Sequence, residues 1–104
     1  MMKELDAGAA DDYGDRSSKV LSAEDGLAIM VCRTNDKFYA VENRCSHQEQ
    51  ALEGGAIKKC YIFCPVHGAR FDLRDGKPSG TLTKKPIRTF PVREHNGRVL
   101  VTVS

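Results

Sequence analysis

The chain reads as all-β, on three observations. Short runs rich in β-branched and aromatic residues recur along most of its length. Turn residues punctuate them at close intervals. No stretch carries the apolar period of a helix of ordinary length. Taking the runs in order, "SSKVL" (17–21), "LAIMVCR" (27–33) and "KFYAV" (37–41) are separated by "AEDG" (23–26) and "TND" (34–36), which predicts a three-stranded meander. "YIF" (61–63) and "ARFDL" (69–73) predict two further strands, and the Asp-Gly of "RDGK" (74–77) predicts a hairpin turn after them. "PSGTLTKKP" (78–86) reads as an irregular loop. "IRTFPVRE" and "RVLVTV" bracket "HNG", where Asn96-Gly97 is the strongest hairpin signal in the chain. The one helix candidate is about a turn near Asp6–Asp12, weakened by Gly8 and Gly14.

At 104 residues the chain suits one domain, with 40% hydrophobic and 29% charged residues. We divide it into an acidic, mobile N-terminal segment (1–14) and a folded domain (15–104). The net charge of +2 conceals an asymmetry: residues 1–25 carry a net −4, residues 26–57 a net −1 and residues 58–104 a net +7. The basic residues are dispersed among strand-like runs, with only Lys58-Lys59 and Lys84-Lys85 adjacent, so nucleic-acid binding is not expected. The first fifteen residues lack an apolar run, so neither a signal nor a transit peptide is expected. No stretch approaches the roughly 20 apolar residues that span a bilayer. A cytoplasmic location follows as the expectation, in which thiols serve as ligands more readily than as disulfides.

Two segments between strands hold the chemistry. "NRCSHQ" (43–48) places Cys45 and His47 one residue apart, and "CPVHG" (64–68) places Cys64 and His67 two residues apart. Sixteen residues separate His47 from Cys64. One tetrahedral zinc with two sulfur and two nitrogen ligands would be chemically sound. Zinc knuckles, however, commonly bring like residues in each arm, whereas each arm here is mixed. A mixed arm is better suited to two metal atoms, its Cys reaching one and its His the other. A Cys–His hydrolase is disfavoured, because residues this close along the chain rarely reach nucleophile–base geometry with a third orienting group.

The boxes "CSH" (45–47) and "CPVHG" (64–68), with the "FDLRDGKP" that follows, resemble the Rieske family. The nearest likeness is to the small ferredoxins of bacterial ring-hydroxylating dioxygenase systems. That resemblance implies a Rieske iron-sulfur fold of small antiparallel sheets, with one 2Fe–2S cluster held between two loops. Cys45 and Cys64 would bind one iron, and His47 and His67 the other. Two ferric ions, two sulfides and two thiolates sum to zero charge with neutral imidazoles, which eases reduction relative to a four-thiolate centre.

High-potential members add a cysteine to each box and join them in a disulfide; here those positions hold Gln50 and Val66. Those members also direct Ser and Tyr hydroxyls at the cluster sulfurs, where this chain has Ala69 and Phe71. The resemblance therefore implies a low-potential carrier. It takes single electrons from a flavoprotein reductase to a terminal oxygenase and is not itself an enzyme; it acts as a monomer without nucleic-acid or membrane partners. Gln48, Glu49 and Gln50 depart from the small residue common after the first box and bear on partner choice. Pro65 would stiffen the second loop, Gly68 would let backbone approach a sulfur, and the loop from Ser79 to Pro86 would shield the cluster's far side, while Gly54-Gly55 marks a turn after the first box. Cys32 and the five residues Phe38, Tyr39, Phe63, Phe71 and Phe90 are expected in the core, with Cys60 structural and His95 exposed. The other readings are a zinc-stabilised interaction module and a small subunit resembling the Rieske-like part of nitrite reductases.

Overall fold

In the computed structural model, residues 3–23, 26–46, 50–66, 68–80 and 82–103 are described. His47, Gln48, Glu49 and His67 lie outside them. Eleven strands form three antiparallel sheets. The predicted meander is present as β2 (Ser17–Ser22), β3 (Ala28–Thr34) and β4 (Lys37–Glu42), with β9 (Thr89–Phe90) on its edge. A second sheet runs β5 (Ile57–Lys58), β6 (Tyr61–Phe63), β7 (Arg70–Asp72) and β8 (Pro78–Ser79) in sequence order. The third joins β1 (Lys3–Ala9), β11 (Arg98–Val103) and β10 (Val92–His95), in the order β1-β11-β10.

Strand β3 organises the interior. Its residues Ile29 to Cys32 are all fully buried, so both of its faces are covered. Side chains alternate across a strand. Met30 and Cys32 accordingly enter one apolar cluster, with the Cys45 and Cys64 arms. Ile29 and Val31 enter another, with Val99, Val101 and Phe90. β4 repeats the division, with Val41 and Tyr39 on the first side and Ala40 and Phe38 on the second. A continuous apolar run such as AIMVC is what a strand buried on both faces requires.

The N-terminal expectation is corrected. Residues 3–9 form a strand rather than a helical turn or a mobile tail, paired antiparallel with β11 from Lys3↔Val103 to Asp6↔Leu100. A short 3-10 turn follows at Ala10–Asp12. Strand geometry wins because Leu5 and Ala7 alternate into the core, and after a bulge between Asp6 and Ala9 the next core residue is Ala10. Arg93 and Arg98 pair with Glu4 and Asp6 at 2.7 and 3.0 Å, so these two carboxylates are cross-strand partners. Tyr13 then anchors the segment. It is 1% exposed, its hydroxyl donates to the Ala7 carbonyl at 2.7 Å, and its own carbonyl accepts from Arg33 at 2.6 Å. Its ring meets Phe38 edge-on at 5.3 Å.

Both predicted hairpins form. Asn96 and Gly97 take positive φ values of 51° and 76°, as a two-residue turn between β10 and β11 demands. Gly76, at φ 78°, closes the β7–β8 turn through its N–H to the Asp72 carbonyl at 2.7 Å. Among the described residues, no helix is long and apolar enough to cross a membrane.

Candidate iron-sulfur site

Each cysteine arm leaves a strand whose position is fixed by the core. Cys45 lies three residues beyond the end of β4, after Asn43 donates its N–H to the Ala28 carbonyl at 2.9 Å. The Cys45 N–H then donates to the Gln50 carbonyl at 2.6 Å, which folds the arm back on itself. Cys64 follows β6 directly. Its N–H donates to the Ala69 carbonyl at 2.7 Å, and its carbonyl accepts from the Gly68 N–H at 3.0 Å. The six-residue second arm is therefore a tight loop between the paired strands β6 and β7.

The two arms are fastened to each other behind the thiols. Phe63, just before Cys64, donates its N–H to the Ala56 carbonyl at 2.9 Å. Gly55 lies against the same residue so closely that a Cβ there would stand 1.9 Å from the Phe63 carbonyl oxygen. The expected turn after the first box is present, with Gly54 at φ 89°. Gly55, by contrast, is required by space.

Both thiols are buried, Cys45 at 0% and Cys64 at 3% exposure, and neither forms a disulfide. They belong to one apolar cluster with Leu52, Ile57, Ile62, Ala69, Phe71 and Leu73 among its members. Two soft sulfur donors brought from separate loops into one apolar cluster fit an iron-sulfur group of no net charge. The other two proposed ligands, His47 and His67, lie outside the described residues. Among the described residues no three His, Cys, Asp or Glu side chains come together as a metal site.

The remaining predicted residues fall into place around this pair. Pro65 and Val66 are exposed on the tip of the second arm, Val66 at 49%. Gly68 adopts φ 73°, a backbone conformation that favours glycine. The 79–86 loop does reach the first arm. Ser46 Oγ donates to the Lys85 carbonyl at 2.6 Å, and it lies 3.4 Å from Thr83 Oγ1. Thr83 Oγ1 in turn accepts from the Lys85 N–H at 3.1 Å. A cavity of about 240 Å³ beside Cys45 is lined by Ser46, Lys85, Pro86 and Ile87.

Cys32 packs in the same apolar cluster from β3, and burial pushes its thiol up to about 12, which opposes a thiolate role. Cys60 is half-buried in the β5–β6 turn, at the opposite end of β6 from Cys64. His95 is exposed at the end of β10. Sequence reasoning missed Asn43, Ser46 and Gly55. The first two carry small polar side chains of the kind that bond to nearby backbone, which was the available signal.

Comparison with known proteins agrees with this arrangement. The family model described as Rieske [2Fe-2S] domain matches residues 4–91. The ferredoxin component of the naphthalene 1,2-dioxygenase/salicylate 5-hydroxylase systems of Ralstonia sp. is 32% identical over 97 residues, 93% of this chain and 92% of that protein. The solved ferredoxin of carbazole 1,9a-dioxygenase from Nocardioides aromaticivorans IC177 superimposes with a TM-score of 0.89 at 30% identity, covering 95% of this chain and 96% of that one. A chain in the complex of reduced oxygenase and oxidised ferredoxin in carbazole 1,9a-dioxygenase gives the same TM-score and identity, covering 94% of this chain and 91% of that one.

Proposed function

The chain belongs to the Rieske [2Fe-2S] family, and from that premise we propose that it carries single electrons from a flavoprotein reductase to a terminal, ring-hydroxylating type oxygenase. It is a ferredoxin-type electron carrier, and its cofactor is one Rieske-type 2Fe–2S cluster. The observation that carries the reading is the pair of buried thiols, Cys45 and Cys64, brought from two loops into one apolar cluster. We assign Cys45 and Cys64 to one iron and His47 and His67 to the other.

When bound, the cluster accepts and returns one electron. The protein's own contribution is to hold the donors and to set their surroundings. The buried apolar members of the cluster keep water from the thiol side. Ala69 and Phe71, 3% and 0% exposed, offer no hydroxyl to the cluster sulfurs. A hydrogen bond to sulfur favours the more negative reduced state, so its absence supports a potential at the low end of the Rieske range, roughly −150 mV rather than +300 mV.

Exposed Pro65 and Val66 offer a small apolar surface beside His67 for brief docking, in keeping with the modest area of electron-transfer encounters. The likeness to a ferredoxin solved in complex with its oxygenase supports an oxygenase as one partner. A reductase on the donor side, a cytoplasmic location and a monomeric carrier complete the proposal.

The test is electron paramagnetic resonance at low temperature before and after dithionite, with iron and acid-labile sulfide assayed on the same sample. A silent oxidised state and a rhombic reduced signal of low average g are expected. Stoichiometric zinc without signal would replace the carrier by a zinc-clamped module. His67→Ala should abolish that spectrum; an unchanged spectrum would remove His67 from the ligand set.

A further inference from the structure

Asn43 stands two residues before Cys45, and its side chain does more than end a strand. Its Oδ1 accepts two N–H groups, from Leu52 and Glu53, each at 2.9 Å. Its own N–H is the one given to Ala28 of β3. One residue thus joins the central strand, the start of the first arm and the arm's return. Leu52 is fully buried in the apolar cluster that contains both cysteines. The inner Cys45–Gln50 backbone bond closes the same loop a second time, nearer the thiol.

An amide oxygen carries two lone pairs and can serve both N–H groups at once. Alanine at this position would leave the Leu52 N–H at a buried residue without its acceptor, a costly state relieved only by opening the loop. Opening there would move Cys45 away from the second arm.

We propose that Asn43 is a positioning residue for the cluster: its side-chain carbonyl clasps the base of the first arm and so holds Cys45 at the spacing the cluster requires. This rests on the ligand assignment above. The clasp fixes the arm in advance, so the ordering cost is not met anew at each binding event.

The test uses the cluster-loaded protein with Asn43→Ala and Asn43→Asp. Cluster loss in the presence of an iron chelator is followed by visible absorbance, and amide hydrogen exchange is read at Leu52 and Glu53 with Val31 and Val99 as core references. Asn43→Ala should lose the cluster about tenfold faster, equivalent to about 1.4 kcal/mol. Exchange should rise at Leu52 and Glu53 while Val31 and Val99 hold. Asn43→Asp keeps both acceptor positions and should stay within about twofold of wild type. Its added negative charge should lower the potential, a shift that loop closure alone would not produce. Equal damage from both substitutions, no change in either, or a rise in exchange spread evenly through the core would each overturn the clasp. A wild-type chain that assembles no iron-sulfur cluster would instead sink the ligand assignment, and exchange at Leu52 and Glu53 would still decide the clasp.

Discussion

Gly55→Ala is the substitution through which the junction of the two arms can be tested most directly. An added Cβ would sit 1.9 Å from the Phe63 carbonyl oxygen and 3.1 Å from that of Leu52, both backbone atoms with no rotamer to escape into. The Phe63 contact must open by about an ångström before it reaches the closest approaches that real side chains make. Phe63 also donates to Ala56 at 2.9 Å, and that bond lies in the path of the movement. Overpacking of this kind costs about 1–3 kcal/mol, and loss of the hydrogen bond adds about 1 kcal/mol. A total of about 3 kcal/mol corresponds to a fall of roughly 1.5 M in the urea midpoint, taking a slope of about 2 kcal/mol/M. The assay is urea denaturation of the loaded protein, followed in parallel by cluster absorbance and far-ultraviolet dichroism. The absorbance should be lost first, because the displaced carbonyl belongs to the residue before Cys64. Gly54→Ala is the internal control. It meets open space at φ 89° and should cost only the left-handed penalty of about 1–2 kcal/mol. A Gly55→Ala midpoint equal to wild type, or milder than that of Gly54→Ala, would refute the claim that the arms are in contact there.

Two further outcomes are expected. The Glu4 carboxyl is held below its ordinary value chiefly by its hydrogen bonds from Arg93, and that of Asp6 chiefly by the Gly8 N–H and then by Arg98. A depressed folded value means that the unfolded chain binds the proton more readily, so this support is present above the ordinary carboxylate range near pH 4 and is lost as pH falls through the folded values. Protection of the β1 amides, corrected for intrinsic exchange, should therefore decline first in acid; a profile flat down to pH 2 would contradict the assignment. As for thiols, alkylation of the native loaded protein near pH 8 should mark half-buried Cys60 and spare Cys32, whose thiol is fully buried and pushed up to about 12. Mass spectrometry of the peptides decides it, and prompt labelling of Cys32 would show that β3 is not closed on both faces.

The legible parts of this fold were those encoded locally. Strands β2 to β4 announce themselves by apolar runs between turn residues, and Asn96-Gly97 names its turn because both residues must take positive φ. Strand β1 was hidden for a physical reason. Its inward positions are only Leu5 and Ala7 before a bulge interrupts the alternation, too little to make a strong signal, and its partner β11 lies at the other end of the chain. Two-residue strands such as β5 and β8 carry too little pattern to be read at all. The proposed cysteine ligands were visible because ligand spacing is local to each arm. The side chains that hold the arms were not. Asn43 bonds to residues nine and ten positions on, and Ser46 to Lys85, thirty-nine positions away. Space was equally illegible: Gly55 looked like one half of a turn until the backbone of Phe63 was found against it.

The pairing of β1 with β11 also sets an order of events for a chain emerging from a ribosome. The sheet of β5 to β8 is contiguous in sequence and can close as soon as residues 57–79 are available. Its hairpins enclose short loops and need little search. Strand β1, made first, has no hydrogen-bonding partner until residues 98–103 appear. The second cysteine arm can therefore take shape before the β1-β11-β10 sheet is completed, which waits for residues 98–103. Until then β1 is unpaired, with its Glu4 and Asp6 not yet matched to Arg93 and Arg98. Unpaired strands are sites of mis-association, and like charge along the strand is one of the ways proteins guard them. Glu4 and Asp6, which pair with arginines in the finished sheet, are charges of the kind that guard an exposed strand.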